Sequence, residues 1–300
     1  MKSLSLTQFG ILGCLIATLA TSSAAINFEF SYTGTGGFLD ETEGTARQAA
    51  LQAAANTLGS YFTANATITF TVNSYATDNT TLANAGSDTY YYIGEPDFYR
   101  SVVQEKIISG EDNNEGDPDG TINWNWHHSW GVGPTVPIGQ YDMATVAMHE
   151  ILHAMGFASM VGAPGTNDDR IVWSPFDRYL VNGSNQPLVI DGVWQGLDAA
   201  LTSGLYFNGP NAVAANGGLP VALYAPASWA GGSSASHIDP SEGLVIMNPS
   251  VTSGDATEGL GIIELAMLQD LGYSIAPVPE PSSALLLLGG AAFFLRRRKR

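Results

Sequence analysis

Cysteine and positive charge are the two things this chain has least of. Its 300 residues hold one cysteine, Cys14, and 11 lysines and arginines against 28 acids, for a formal charge of −17. Six of the 11 basic residues sit at the ends: Lys2, Arg296, Arg297, Arg298, Lys299 and Arg300. Residues 26–276 keep only Arg47, Arg100, Lys106, Arg170 and Arg178 against 27 acids (28 less Glu280), which leaves −22. Such a surface has no basic face with which to neutralise phosphates, and this excludes a nucleic-acid binder. With Cys14 near the start, no disulfide and no thiolate site is available to the interior, so core packing alone has to stabilise it. Histidine is also scarce, at five. What the chain does have is a 45% hydrophobic composition with 30 aromatic residues, too rich for a disordered acidic polymer. About 250 residues can bury a substantial core, as one large domain or two lobes.

The ends carry targeting patterns. Residues 1–25 open with one lysine, run through an apolar stretch (9–20) and close on Thr-Ser-Ala-type small residues, the layout of a secretory signal peptide. Cys14 follows Ile-Leu-Gly as in a lipoprotein box, but most of the apolar run comes after it, against that reading. At the other end, Val278-Pro279-Glu280-Pro281-Ser282 precedes an apolar stretch (284–295) and five basic residues. Twelve residues of helix reach about 18 Å, short of the roughly 30 Å of a bilayer core, while the basic cluster fits a positive-inside stop. This segment, 277–300, resembles the PEP-CTERM sorting signal of exported Gram-negative bacterial proteins. The resemblance implies a transient membrane anchor cleaved by an exosortase, with the mature protein in the cell envelope or outside the cell. An ordinary tail anchor is the alternative.

Between the ends, hydrophobic alternation predicts strands over 26–32, 66–75, 89–93 and 121–126. Helices are predicted over 41–62, which is rich in alanine, and over 96–109. The polar loop 111–120 carries five acids and ends in Asp-Pro-Asp-Gly, which is turn chemistry. Clustered side-chain oxygens make Ca²⁺ conceivable there, but the spacing is not that of an EF-hand and no glutamate closes the loop. These elements make an α/β lobe with about four strands and a backing helix.

Chemistry enters at residues 142–156. Asp142 suits a helix N-cap, Gly156 suits its C-terminal stop, and no proline intervenes. In that helix His149 and His153 lie about 40° apart on one face, one turn above the other, while Met143, Ala147, Ile151 and Ala154 point into a core. Two imidazoles at this spacing can bind one Zn²⁺, and Glu150, flanking their face, can take a proton from water at the metal's open position. At this chain's frequencies a chance His-Glu-x-x-His arises in roughly one of 300 such chains, so two unrelated histidines are a poor explanation. A catalytic zinc wants a third protein ligand. His127 and His128 are sequence neighbours that point in different directions and suit a cleft wall or solvent; His237 is preferred, ahead of any carboxylate.

His149-Glu150-x-x-His153-x-x-Gly156-Phe157 resembles the metzincin zinc-protease signature. The compact form of that motif places its third ligand at residue 159, which here is Ser159. The departure resembles the leishmanolysin-like metzincins, in which a long insertion precedes the third histidine. The resemblance then implies that 160–236 is the insertion, His237 the displaced ligand and Met247 the Met-turn residue, with the periodic segment 258–271 as a C-terminal helix under the site. It implies an α+β fold in which an upper lobe (about 26–156) has a mixed twisted sheet and backing helices. A zinc helix would lie at the cleft floor, above a loop-rich lower lobe (about 157–276).

The expected function is therefore a secreted zinc endopeptidase. Glu150 would be its general base, a peptide its substrate, and 121–126 the edge strand along which that peptide pairs. Two alternatives stand beside it: an extracellular protein with a structural zinc closed by a fourth ligand such as Asp239, and a zinc hydrolase of non-peptide substrates. Asp177 is read either as orienting a ligand histidine or as a structural ion pair with Arg178. Trp124, Trp126 and Trp130 either border the site or belong to the core, and the Gly-rich stretches 203–218 and 231–235 suggest loops over the cleft.

Overall fold

A computed structural model describes residues 26–87, 90–92, 97–257 and 259–277, and shows a mixed α/β protein with sheets and a few helices. The signal-peptide segment and all but the first residue of the sorting segment lie outside the described residues. In chain order the first half comprises β1 (Asn27–Thr33), α1 (Gly44–Gly59), β2 (Thr67–Tyr75), β3 (Ala83–Gly86), β4 (Tyr90–Tyr92), β5 (Tyr99–Ser101), α2 (Val102–Ser109) and β6 (Gly120–Asn125). It continues through β7 (Trp130–Gly131) and β8 (Tyr141–Asp142) into α3 (Met143–Ala154). The second half holds β9 (Leu180–Asn182), β10 (Val189–Ile190), β11 (Val193–Trp194), β12 (Leu205–Phe207), α4 (Pro210–Ala215), β13 (Val221–Leu223) and α5 (Ile262–Asp270).

The main sheet has the order β1-β2-β6-β3. β1, β2 and β6 run parallel and β3 runs antiparallel to β6. The β1-α1-β2 crossover puts α1 over one face, and α1 buries Leu51, Ala54, Ala55 and Leu58, the i, i+3, i+4, i+7 stripe of an amphipathic helix. Beneath it Ile68, Phe70 and Val72 of β2 are fully buried, as alternation requires. Each such side chain contributes about 1.5–3 kcal/mol by leaving water. The alanine-rich face of α1 also packs against α3, which in turn lies beside β3.

Several sequence expectations are corrected here. β6 is not an edge: β2 pairs one side of it and β3 the other, so the edges of the sheet are β1 and β3. The strand at 90–92 forms a hairpin with β5 and does not join the main sheet. Helix α2 starts at Val102, with Ser101 as its N-cap accepting from the Gln104 N–H, because residues 99–101 are spent on that hairpin. Trp124 is fully buried in the core and packs in an aromatic cluster with Phe38 and with Trp126 and Trp130, which are half-buried against it.

After α3 the chain builds a small antiparallel sheet, β13-β12-β9. The stretch 203–218, expected as a loop over the cleft, instead supplies β12 and α4. Residues 235–239 run antiparallel to β13: Tyr224 N–H donates to the His237 carbonyl at 2.9 Å, and Asp239 N–H to that of Ala222 at 2.9 Å. The two halves are tied by Gln104 Nε2 donating to the Leu271 carbonyl and by Tyr273 Oη donating to that of Met155. No helix among the described residues is long and apolar enough to cross a membrane, and the 284–295 stretch expected to anchor the chain lies outside them.

Candidate metal centre

Helix α3 is fastened at both ends. Asp142 accepts from the Thr145 N–H at 2.9 Å and from the Thr145 hydroxyl at 2.5 Å, which caps the first turn. At the other end Gly156 adopts φ +87°, its N–H donates to the His153 carbonyl, and Phe157 N–H donates to that of Leu152. This is a Schellman stop, which needs a left-handed residue. A side chain there would also collide with Gln104, whose Oε1 lies 2.7 Å from where a Cβ would stand. The turn then returns to the helix: the Phe157 carbonyl accepts from His153 Nδ1 at 2.8 Å.

Three imidazoles meet above this helix. The Nε2 atoms of His149 and His153 are 3.0 Å apart, those of His153 and His237 3.2 Å, and those of His237 and His149 3.1 Å. Three nitrogens on a tetrahedral zinc at 2.0–2.1 Å would be separated by about 3.3 Å, so the donor set fits the ion. Each ring spends its Nδ1–H on a backbone carbonyl: His149 on Ile246 at 2.8 Å, His153 on Phe157 at 2.8 Å and His237 on Ser233 at 2.7 Å. That fixes the tautomer with the Nε2 lone pairs facing one another. Burial, followed by the neighbouring His237, pushes the His149 pKa down to about 3, and burial lowers His153 and His237 as well. The imidazoles are thus held neutral, as metal ligands must be.

Among the described residues no cysteine, aspartate or glutamate joins the three histidines. Asp239, considered as a fourth ligand, instead caps the turn that follows by accepting from the Ser241 N–H. Glu150 is nearly buried; desolvation pushes its pKa up to about 8, opposed by the N–H of Ala85 on β3, which donates to it. All four groups line one cleft of about 800 Å³, whose walls include β3 on one side and Gly231, Gly232 and Ser233 on another. The expected loop at 231–235 therefore does border the cleft.

Other sequence candidates fall elsewhere. His127 pairs with Asp78 and His128 lies against the Thr81 carbonyl, away from the three histidines. Asp177 faces no ligand histidine. It is fully buried and accepts from the Ser159 hydroxyl (2.6 Å), the Met160 N–H and both the N–H and hydroxyl of Ser174, while the Arg178 guanidinium lies 4.9 Å over the Phe98 ring. Ser159, at the compact motif's ligand position, donates its N–H to Ser236 Oγ at 3.1 Å, next to His237. In the acidic loop, Asp112 and the buried Asp119 both face the Lys106 ammonium, which stands where a cation would.

Met247 is fully buried at the turn that follows His237, and its carbonyl accepts from Ile238 N–H at 2.8 Å. Below it lies a residue that the sequence reading did not single out. Glu264, in the first turn of α5, accepts from the N–H groups of Met247 and Gly261 at 2.8 Å each. Its glycine-x-x-glutamate spacing before an apolar run was the available signal. Burial raises its pKa to about 7.

Residues 277–300 match the PEP-CTERM protein-sorting motif. No curated protein is similar enough to match the chain. The motif indicates export from a Gram-negative cell with sorting to the envelope or beyond, and it implies recognition by exosortase-type machinery. The cysteine-poor acidic interior is thus the cargo of an export route.

Proposed function

We propose that this chain is an exported zinc-dependent endopeptidase of the metzincin type, with its third ligand displaced by a long insertion. The observation that carries the reading is the triangle of Nε2 atoms, 3.0–3.2 Å on a side, with Glu150 in the same cleft and, among the described residues, no fourth protein ligand beside it. Three neutral imidazoles with a position left for water are the composition of a catalytic zinc site, whereas a structural site is closed by four protein ligands. His149, His153 and His237 would hold the ion. When bound, it supplies a Lewis acid for the scissile carbonyl and raises the acidity of the attacking water.

The protein's own groups do the rest. Glu150 takes the proton of the attacking water and later gives it to the leaving amine, and the burial that raises its pKa suits it to hold that proton between the two steps. The free edge of β3 offers an extended peptide main-chain hydrogen bonds, and this replaces 121–126 as the expected pairing edge. Tyr141, Val146 and Val251 give the cleft an apolar wall for a side chain next to the scissile bond.

Digestion of casein and of a quenched-fluorescent peptide library by the purified protein, with and without a chelator, tests the reading. Hydrolysis that a chelator abolishes and zinc restores is expected. In Glu150→Gln, zinc content should stay normal while the rate falls by about 10²–10⁴. Full zinc content with no peptide hydrolysis, or normal hydrolysis by Glu150→Gln, would sink it.

A further inference from the structure

One peptide group joins a buried carboxylate to a candidate ligand. Ile246 contributes its carbonyl and Met247 its N–H to the amide between them. The Met247 N–H donates to Glu264 Oε1 at 2.8 Å, and the Ile246 carbonyl accepts from His149 Nδ1 at 2.8 Å. Glu264 is fully buried, and its second oxygen is held by the Gly261 N–H at 2.8 Å, so the carboxylate cannot swing away. The same turn reaches the other side of the site, since the Met247 carbonyl accepts from Ile238 N–H, one residue past His237.

A charge on one side of an amide polarises the other. Chained hydrogen bonds strengthen one another by about 10–30% per bond, and the carbonyl of an amide whose N–H serves a carboxylate is a stronger acceptor. A stronger acceptor at Nδ1–H makes the imidazole a more basic ligand at Nε2 and holds the ring in one orientation. His237 offers an internal comparison. Its acceptor is the Ser233 carbonyl, and the N–H of that peptide group, from Ser234, goes to the neutral Ala230 carbonyl at 2.8 Å.

We propose that Glu264 is a positioning residue for His149, acting through the Ile246–Met247 peptide group to orient the ring and raise its strength as a metal ligand. The inference rests on the reading that the three histidines hold a metal. It assigns α5, which reaches the cleft through no side chain of its own, a part in the metal site.

The test uses the full chain as wild type, Glu264→Gln, Glu264→Ala, His149→Ala and, as a buried carboxylate that does not line the cleft, Asp119→Asn. Zinc affinity is read by chelator competition and ligand geometry by the visible spectrum of the Co²⁺-substituted protein. Glu264→Gln keeps an acceptor for Met247 N–H and removes the charge, so it should fold, bind zinc about 10–100-fold more weakly and shift the Co²⁺ bands. Glu264→Ala should lose at least as much affinity if it folds. Asp119→Asn should change melting temperature without changing zinc affinity. If Glu264→Gln binds zinc as wild type does, with unchanged Co²⁺ bands, Glu264 is only structural and the inference fails. If wild type binds zinc no better than His149→Ala, the metal reading itself fails, which is a different result.

Discussion

His153 and His237 place their Nε2 atoms 3.2 Å apart although 84 positions separate them in the chain. The segment between them is what makes this possible. It builds β9, β12 and β13, and residues 235–239 lie against β13 as a further strand, with the His237 carbonyl pinned by Tyr224 N–H. Removing the ring in His237→Ala should therefore lower zinc affinity by more than the roughly 10–100-fold typical of an outer partner. His127→Ala and His128→Ala should leave it unchanged. Isothermal titration of the metal-free protein checks all three, and an unaffected His237→Ala would remove that residue from the site.

Gly156→Ala should be costly for two separable reasons. The backbone at φ +87° disfavours any side chain, by about 1–2 kcal/mol, and the new Cβ would stand 2.7 Å from Gln104 Oε1. Truncating Gln104 relieves only the second. In a double-mutant cycle with Gln104→Ala, denaturant unfolding should show partial rescue of Gly156→Ala; full rescue would mean the backbone contributes nothing.

Asp177 should matter for stability although it faces none of the three clustered histidines. Asp177→Ala strands the Met160 and Ser174 N–H groups and frees Ser159, which reaches Ser236 beside His237. The loss should be roughly 3 kcal/mol, on the order of 6–12 °C in melting temperature for a chain of this size. Calorimetry at neutral pH measures it, and a shift under about 2 °C would contradict the role given to this carboxylate.

Glu264 makes the metal-free protein pH-sensitive in a direction that can be stated. Its folded pKa is raised from 4.5 to about 7 by burial, so the native state holds the proton more tightly than the unfolded chain does. Its contribution to stability is then fully present below about 4.5 and is lost as pH rises through about 7. Glu264→Gln should accordingly gain on wild type as pH increases over that window, by a difference on the order of 3 kcal/mol, and the gap should then level off. Urea unfolding in chelator at pH 5 and pH 8 reads this out; parallel curves for the two proteins would refute it. A charge that costs the empty protein stability yet strengthens its ligand set is a trade of the kind functional sites make.

The parts of the fold legible in the sequence were those whose signal is local. β1, β2 and β6 alternate over six to nine residues, and α1 and α3 repeat apolar residues over three or more turns, so their own periodicity declares them. β3 does not: Ala83-Asn84-Ala85-Gly86 is poor in strand-forming side chains and is extended because β6 offers it a ladder. Missing it made β6 look like the edge. The strands between His153 and His237 are two or three residues long, below the length at which any period can be read.

By itself the sequence determined the chemistry on offer: His149, Glu150 and His153 on one helical face, a capped start at Asp142, a stop at Gly156, and a sorting segment at 277–300. These depend on helix geometry and on short contiguous motifs, which need no knowledge of the rest of the chain. Only the tertiary structure decided that His237 closes the triangle, that β3 lines the cleft, that Asp177 serves a turn and not a ligand, and that Glu264 stands behind His149. Each of those is a contact between residues distant in sequence, made only where strands pair and buried polar groups find partners, and no local pattern encodes which partners those are.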